Sequence, residues 1–329
     1  MSARRTCQYP ARAPFKRPLV AWGGGMLCVL LLASGCSQSS QQTSETKRNP
    51  EEVLRMLEAP TEESVATRLA RRMIEKRAQL EPTPLPESPL TMGQALETQQ
   101  EMVNLLIPTA GPVAGYKAGL TNPATQKVLG ISQPIHGVFL QKMLHPEGEM
   151  LSYKFGSRPV VEADLLVRVK DEGIHEAKTN LEVLEHLDLI IPFLELADLT
   201  YAETDHASAA DIVAANAGAS MGVMGNGVTP EATQEWVNRL GHVAVVVTDN
   251  TGEEVTSGNT SNLMGHPLNA VRWLAADLRA SGIQLKAGDL LSLGSIGTPI
   301  PARAGLRLRA VYHNLSPDTH TSVGVQFAE

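Results

Sequence analysis

The chain has 329 residues, 43% hydrophobic, 4% aromatic and 19% charged, with a formal net charge of −7. Acidity without a basic cluster excludes nucleic acid as a partner, because a phosphate backbone demands a positive surface. So few aromatic residues also disfavour a site that stacks sugars or bases.

The first residues carry Arg4, Arg5, Arg12, Lys16 and Arg17, then an apolar run over 19–33 that leads into Ala33-Ser34-Gly35-Cys36. A charged start, an apolar middle and a small-residue cleavage site describe a secretory signal. The run falls short of the ~20 apolar residues of a comfortable membrane span, which makes a transmembrane anchor the second reading. Cys36 directly after Gly35 resembles a bacterial lipobox. Residues 1–35 are therefore expected to be a lipoprotein signal peptide, with Cys36 the lipidated first residue of the mature chain. Residues 36–50, rich in Ser, Gln and Thr, read as a flexible tether. Ser37 stands where an Asp would signal inner-membrane retention, so the expected location is the outer membrane, facing the periplasm. Of three cysteines only Cys36 outlasts cleavage, so stability must come from a buried core rather than from disulfides.

Residues 61–78 place Val65, Leu69, Met73 and Ile74 on one side of a helix, which the Pro-rich stretch 82–89 ends. Thr91 with Gln94 is a capping-box pattern that opens a second helix to about Leu106. Together they predict an N-terminal helical unit over 51–110, ahead of a larger domain over 111–329. From Val113 the pattern changes to short β-like runs punctuated by Gly and Pro. Strands are expected near 113–118, 159–170, 189–197, 221–228, 241–249, 289–296, 306–313 and 321–327. A helix is expected over 267–281, burying Leu268, Val271, Leu274, Ala275 and Leu278 and stopped by Gly282, and a shorter one over 207–216. His266, just before Pro267, reads as a structural turn residue. A helical start followed by many strands predicts an α+β fold whose body is a mixed β-roll or sandwich.

The strand 159–169 carries the most chemical information. Side chains alternate along a strand, so Glu162 and Asp164 point the same way, roughly 7 Å apart along the backbone. Val161, Ala163, Leu165, Val167 and Val169 form the opposite, core face. In the later run 189–197, Glu195 is a lone acid in an apolar segment, and an unpaired carboxylate there would be costly. Three carboxylates suit Mg²⁺ or Mn²⁺ better than zinc, which prefers His and Cys. No Gly-x-Ser-x-Gly elbow, HExxH or dinucleotide fingerprint is present, which argues against a serine hydrolase, a zinc protease and a nicotinamide enzyme.

Several strings are similar to those of the 2-hydroxypenta-2,4-dienoate (2-keto-4-pentenoate) hydratases. They are Gly115-Tyr116-Lys117-Ala118-Gly119-Leu120-Thr121, Leu129-Gly130 with Gln133-Pro134, Arg158 to Asp164, and Pro192-Phe193-Leu194-Glu195. Gly265 to Val271 with Trp273-Leu274-Ala275, Lys286 to Asp289 and Ala302 to Gly305 complete the set. The chain is identified from these as a member of the hydratase/decarboxylase branch of the fumarylacetoacetate hydrolase superfamily, over almost the whole mature domain. The resemblance implies that superfamily's mixed β-roll fold, and a divalent ion, Mg²⁺ or Mn²⁺, held by Glu162, Asp164 and Glu195. It also implies Lys117 as the catalytic proton carrier, with burial near the metal lowering its pKa. The ion would chelate the C1 carboxylate and C2 oxygen of a small 2-oxo or 2-hydroxydienoate acid and stabilise enolate charge while water adds at the far end. A homo-oligomer is implied as well.

The chain departs from the family at Asp164, where Glu is usual, at Ile135-His136, where Asp-Phe is usual, and at Ala215, where an Asp usually precedes Asn216. His136 is the candidate to supply acid/base chemistry in place of the missing Asp. Asn216 is a candidate substrate contact. Ser292 and Ser295, near the Gly-rich turn before Pro299, are candidate donors to a substrate carboxylate, Ser295 being the one assigned, although an ordinary turn serine is the plainer reading. The expected function is a metal-dependent hydratase of a 2-hydroxy-2,4-dienoate or 2-oxo-4-enoate acid. The alternatives are an acylpyruvate-type C–C hydrolase or 2-oxo acid decarboxylase, and a non-catalytic envelope lipoprotein that binds a 2-oxo acid or a protein.

Overall fold

The computed structural model describes residues 63–202, 206–316 and 321–329. The expected signal peptide, Cys36 and the tether lie outside the described residues. Helix α1 (Val65–Gln79) begins where the Ser64 hydroxyl accepts the Thr67 N–H, and it ends where Leu80 turns left-handed at φ 60°. Helix α2 (Met92–Ala110) opens on the expected Thr91–Gln94 capping box and runs through Pro108 to a Gly111 terminus. There follow β1 (Val113–Gly119), α3 (Pro123–Val128), β2 (Ile135–Leu140), β3 (Leu144–Pro146), β4 (Met150–Leu151) and β5 (Pro159–Val169). Next come α4 (Asn180–Glu185), β6 (Leu187–Asp198), α5 (Ala209–Ala214), β7 (Met221–Met224), α6 (Gln234–Leu240), β8 (Ala244–Thr248) and β9 (Glu254–Asn259). The chain closes with α7 (Pro267–Ala280), β10 (Leu290–Ser292), β11 (Ile300–Pro301), β12 (Arg307–His313) and β13 (Thr321–Phe327). His266 caps α7 as expected: its Nδ1 accepts the Leu268 N–H and its Nε2 donates to the Val237 carbonyl.

The strands form two sheets, one ordered β2-β1-β10-β5-β6-β7-β3 with β11 on the side of β5, the other ordered β4-β13-β12-β8-β9. The long antiparallel pair β5/β6 lies at the centre of the first sheet, with Glu162 opposite Glu195. The parallel pair β1/β10 comes so close at Gly115 that a Cβ there would lie 2.1 Å from the Leu290 carbonyl oxygen, which explains the glycine.

Burial of alternate residues of β5 (Val161, Ala163, Leu165, Val167) against both sheets and α7 makes the main core. Tyr312 of β12 joins the second sheet to the first. Its hydroxyl lies 2.6 Å from the Asp164 carbonyl and 2.8 Å from the Phe193 carbonyl and accepts the Phe193 N–H, and burial pushes its pKa far up. A second cluster packs Leu69, Ala70 and Met73 of α1 and Ala95 and Met102 of α2 against Ile135 and Val213. Arg77 of α1 also reaches the end of β6, with Nε 3.3 Å from Asp198 and a bond to the Ala219 carbonyl. The two N-terminal helices therefore belong to the same compact unit as the strands, where the sequence suggested a unit of their own.

The expected strands at 221–228 and 289–296 are shorter, ending at Met224 and Ser292. Several elements escaped the sequence reading: β2, whose His136-Gly137 resembles a loop, the polar edge strand β9, the two- and three-residue strands β3, β4 and β11, and the short helices α3, α4 and α6. Among the described residues no helix is long and apolar enough to cross a membrane.

Candidate active site

Residues directly opposite across a pair of strands share a face, and residues two apart along one strand do too. Glu162 is opposite Glu195, and Asp164 lies two residues from Glu162. Lys117 is opposite Ser292, and Ser292 is opposite Leu166, again on the Asp164 side of β5. The register thus delivers Lys117, Ser292, Glu162, Asp164 and Glu195 to a single face. Gly137, opposite Lys117, leaves the space this requires: a Cβ there would fall 2.9 Å from Lys117 Cγ and 2.7 Å from the Asn216 carbonyl oxygen.

The cluster is buried, with Lys117 at 4% exposure, Glu195 at 1% and Asp164 at 0%, while Glu162 is half-buried. The Lys117 ammonium donates to Glu195 Oε1 and, at 3.0 Å, to the Ala217 carbonyl. That carbonyl is presented by an unusual turn, in which Asn216, Ala217 and Gly218 take φ values of 55°, 50° and 72°. Asp164 accepts the Ser292 hydroxyl at Oδ2, and the backbone N–H groups of Leu165 (2.5 Å) and Leu293 (3.2 Å) at Oδ1. Glu195 Oε2 is buried without a hydrogen-bond partner among the described residues.

Three acids surround one ammonium, and their protonation reflects the imbalance. Burial, reinforced by Glu195 and opposed by Lys117, pushes the Glu162 carboxyl up to about 7. Burial and Glu195 push Asp164 well above the usual carboxylate range, partly offset by its bonds from Ser292 and the backbone. Burial alone would lower the Lys117 pKa, but Glu195, then Glu162 and Asp164, outweigh it, so the pKa is raised. This corrects the expectation of a lowered lysine, which considered burial without the facing carboxylates.

The donor set suits a hard divalent cation in kind and in charge: carboxylate oxygens only, more negative charge than the lysine balances, and one orphaned buried oxygen on Glu195. Among the described residues, however, no three His, Cys, Asp or Glu side chains stand as a closed ligand set. Of the three expected ligands, Glu162 and Glu195 face each other, whereas Asp164 is turned into bonds with Ser292 and the backbone.

The other expected site residues lie elsewhere. His136 is opposite Ala118, not Lys117, so strand alternation puts it on the other face of the sheet, where its Nδ1 lies 2.6 Å from Asp277 Oδ2 of α7. It is not an acid/base group beside Lys117. The Asn216 amide is consumed by β2, accepting the Val138 N–H (2.8 Å) and donating to the Val138 carbonyl (2.9 Å), so it shapes the turn and is not free for substrate. Ser295 closes its own turn through the Gly297 carbonyl, and Ser292 is the serine that joins the cluster. The signal for Ser292 was a lone hydroxyl in the apolar run Leu290-Leu291-Ser292-Leu293.

The family model for the C-terminal domain of fumarylacetoacetate (FAA) hydrolase matches residues 139–316. The chain is 30% identical over 206 residues to a 2-keto-4-pentenoate hydratase of Burkholderia vietnamiensis, covering 62% of this chain and 76% of that protein. It is 29% identical over 249 residues to a 2-oxo-hept-4-ene-1,7-dioate hydratase of Escherichia coli, covering 73% and 90%. Among solved structures it is similar to the 4-oxalocrotonate decarboxylase of Pseudomonas putida G7 complexed with magnesium and adipate. There the TM-score is 0.69 and the identity 25%, over 80% of this chain and 97% of that one.

Proposed function

The chain belongs to the fumarylacetoacetate hydrolase family, and within it we propose a divalent-metal-dependent hydro-lyase that adds water to a small 2-hydroxy-2,4-dienoate acid. The observation that carries the reading is the buried Lys117–Glu195 contact with Glu162 directly across the strand pair. Similarity to hydratases of 2-keto-4-pentenoate and of a 2-oxo-heptenedioate supports the reaction, and similarity to a magnesium-complexed structure supports the metal.

Glu162 and Glu195 would hold the cation, joined by Asp164 where it gives up its Ser292 bond. The bound ion, Mg²⁺ or Mn²⁺, would supply Lewis-acid polarisation of the substrate's 2-oxo acid end. Lys117 manages the proton. Its Nζ is fixed by the Ala217 carbonyl, and the carboxylates that raise its pKa are the same ones that offer ligands. Once their charge is neutralised, burial is the main remaining influence and draws the lysine pKa down, toward a group that both gives and takes a proton near neutrality. Enclosure of the cluster keeps bulk water from competing for that proton.

The test is to add 2-hydroxypenta-2,4-dienoate to the purified chain with Mg²⁺ or Mn²⁺ and follow it by ultraviolet absorbance and NMR. Metal-dependent loss of the diene, with one hydrated product of unbroken carbon skeleton, is expected. Release of CO₂ or of two carbon fragments would replace this reading with decarboxylation or C–C hydrolysis.

We also propose that Cys36 is lipidated and anchors the enzyme to the outer membrane, facing the periplasm. The basic start, the apolar run and Ala33-Ser34-Gly35-Cys36 support it. Labelled palmitate is expected to enter the protein in a bacterial host and to be lost in Cys36→Ser. Equal labelling of both would end the proposal.

A further inference from the structure

Strand β2 stands at the end of the first sheet, so its outer edge has no strand beside it. The backbone groups of such an edge must be satisfied by something else. Here side chains take the strand's place, on both sides of Gly137, the residue opposite Lys117. On one side the His136 carbonyl accepts the Gln99 amide of α2 at 2.9 Å. On the other the Asn216 amide takes both the N–H and the carbonyl of Val138, at 2.8 and 2.9 Å. Gln99 is 4% exposed and Asn216 1%, so these bonds are sealed from water.

The backbone of Asn216 also begins the left-handed turn in which Ala217 has a φ of 50°. Asparagine tolerates that conformation, whereas alanine keeps it only where its surroundings hold it. The side chain that grips β2 and the carbonyl that grips Lys117 Nζ therefore belong to successive residues of one constrained turn. The fit around them is close. A Cβ at Gly137 would lie 2.7 Å from the Asn216 carbonyl oxygen, 2.9 Å from Lys117 Cγ and 3.1 Å from Ala217 Cβ. The ammonium bonds Glu195 Oε1 and the Ala217 carbonyl. A cation that claims Glu195 leaves the turn carbonyl as the anchor of Nζ.

We propose that Asn216 and Gln99 are positioning residues: by clamping the free edge of β2 to the 216–218 turn and to α2, they aim the Lys117 ammonium. The proposal rests on the hydro-lyase reading, in which Lys117 carries the proton.

The experiment compares Asn216→Ala, Asn216→Asp and Gln99→Met with Leu308→Ala, a buried core position of β12 in the second sheet. Each Mg²⁺-loaded chain is assayed with 2-hydroxypenta-2,4-dienoate, and its Mg²⁺ affinity and melting temperature are measured. NMR order parameters of the Lys117 side chain and exchange of the Val138 amide are read on the same proteins. Asn216→Ala is expected to lower kcat about 30- to 100-fold, the effect of a misplacement near 1 Å. KM and Mg²⁺ affinity should stay within about threefold, which separates lost aim from lost binding. The Val138 amide should exchange faster and the Lys117 methylenes become mobile. Asn216→Asp keeps the acceptor for the Val138 N–H and should lose less. Gln99→Met releases only the His136 carbonyl, for a loss of about three- to tenfold. Leu308→Ala should lower the melting temperature with kcat within about twofold of the unmutated chain.

A Lys117 side chain as ordered in folded Asn216→Ala as in the unmutated chain overturns the proposal, and this readout needs no reaction. Should Asn216→Ala not fold, unchanged Lys117 order in both Asn216→Asp and Gln99→Met overturns it equally. A kcat loss in Leu308→Ala equal to that in Asn216→Ala, at equal loss of melting temperature, reduces the clamp to ordinary stability and also overturns it. No turnover by the unmutated chain, with Lys117 set free in Asn216→Ala, overturns the hydratase reading and leaves the clamp standing.

Discussion

Glu195→Gln is expected to abolish metal-dependent turnover, to weaken Mg²⁺ or Mn²⁺ binding at least about 100-fold, and to destabilise the fold by about 3–5 kcal/mol. The three effects share one cause. Glu195 offers a buried oxygen with no partner to a cation, while its other oxygen holds the Lys117 ammonium. Glutamine removes the charge from both. Both partners of the pair are nearly sealed from water, at 5% and 1% side-chain exposure, so solvent does not screen the loss. The sign follows from linkage. The Lys117 pKa is raised in the folded state, so its contribution to stability is complete below the unfolded lysine value and fades only as pH climbs through the folded one. At neutral pH the native protein has all of it. In the variant, Glu162 and Asp164 alone face the ammonium, burial pulls its pKa down, and much of that contribution goes. Urea midpoints for the single variants Glu195→Gln and Lys117→Met and for the double variant give the coupling directly, and the double variant should recover at least about 2 kcal/mol of the summed single losses. Titration calorimetry supplies the affinity. Wild-type metal affinity in Glu195→Gln would exclude this carboxylate from the ligand set.

How far the site could be read in the sequence depended on whether a residue's partner was local. Strand alternation fixed the shared face of Glu162 and Asp164 without any knowledge of the fold, and Glu195 stood out as one acid in an apolar run. Their meeting required the β5/β6 register, which aligns Glu162 with Glu195 and is set by the whole length of both strands. His136 shows the cost of lacking that information. With β2 unrecognised, its face was undetermined, and the one-residue step from Gly137 to His136 moves a side chain from the lysine's face to that of Asp277. Asn216 was undecided for a similar reason, since its amide pairs with a strand 78 residues earlier. Ser292 and Ser295 differ by three residues, and only the end of β10 between them decides which hydroxyl meets Asp164. Helices with their own caps, such as α2 and α7, were legible because capping residues and apolar spacing lie within a few turns.

Lys117→Met is expected to lower kcat by about 10²- to 10⁴-fold, the usual worth of a positioned acid/base group. Its effect on the metal should be opposite in sign to that of Glu195→Gln. Removing the ammonium leaves Glu195, Asp164 and Glu162 without their only cationic neighbour on this face among the described residues, and frees Glu195 Oε1 as a second open oxygen. Burial and repulsion from Glu195 already raise Glu162 and Asp164, and Glu162 also loses the opposing pull of Lys117. A divalent cation answers that excess of negative charge and no longer meets a positive competitor, so affinity should increase, and added Mg²⁺ should raise the melting temperature more than in the wild type. Two variants that both lose activity but move metal affinity in opposite directions would separate the ligand from the proton carrier. Lys117→Arg sharpens the distinction. Arginine keeps the positive charge and can still donate to Glu195 and the Ala217 carbonyl, but with a pKa above about 12 it cannot release a proton near neutrality. If the role of Lys117 is proton transfer, Lys117→Arg should be nearly as slow as Lys117→Met while keeping closer to wild-type metal affinity. If Lys117→Arg retains turnover within about threefold of the wild type, the lysine acts through its charge alone, and the proton must be carried by another group on this face.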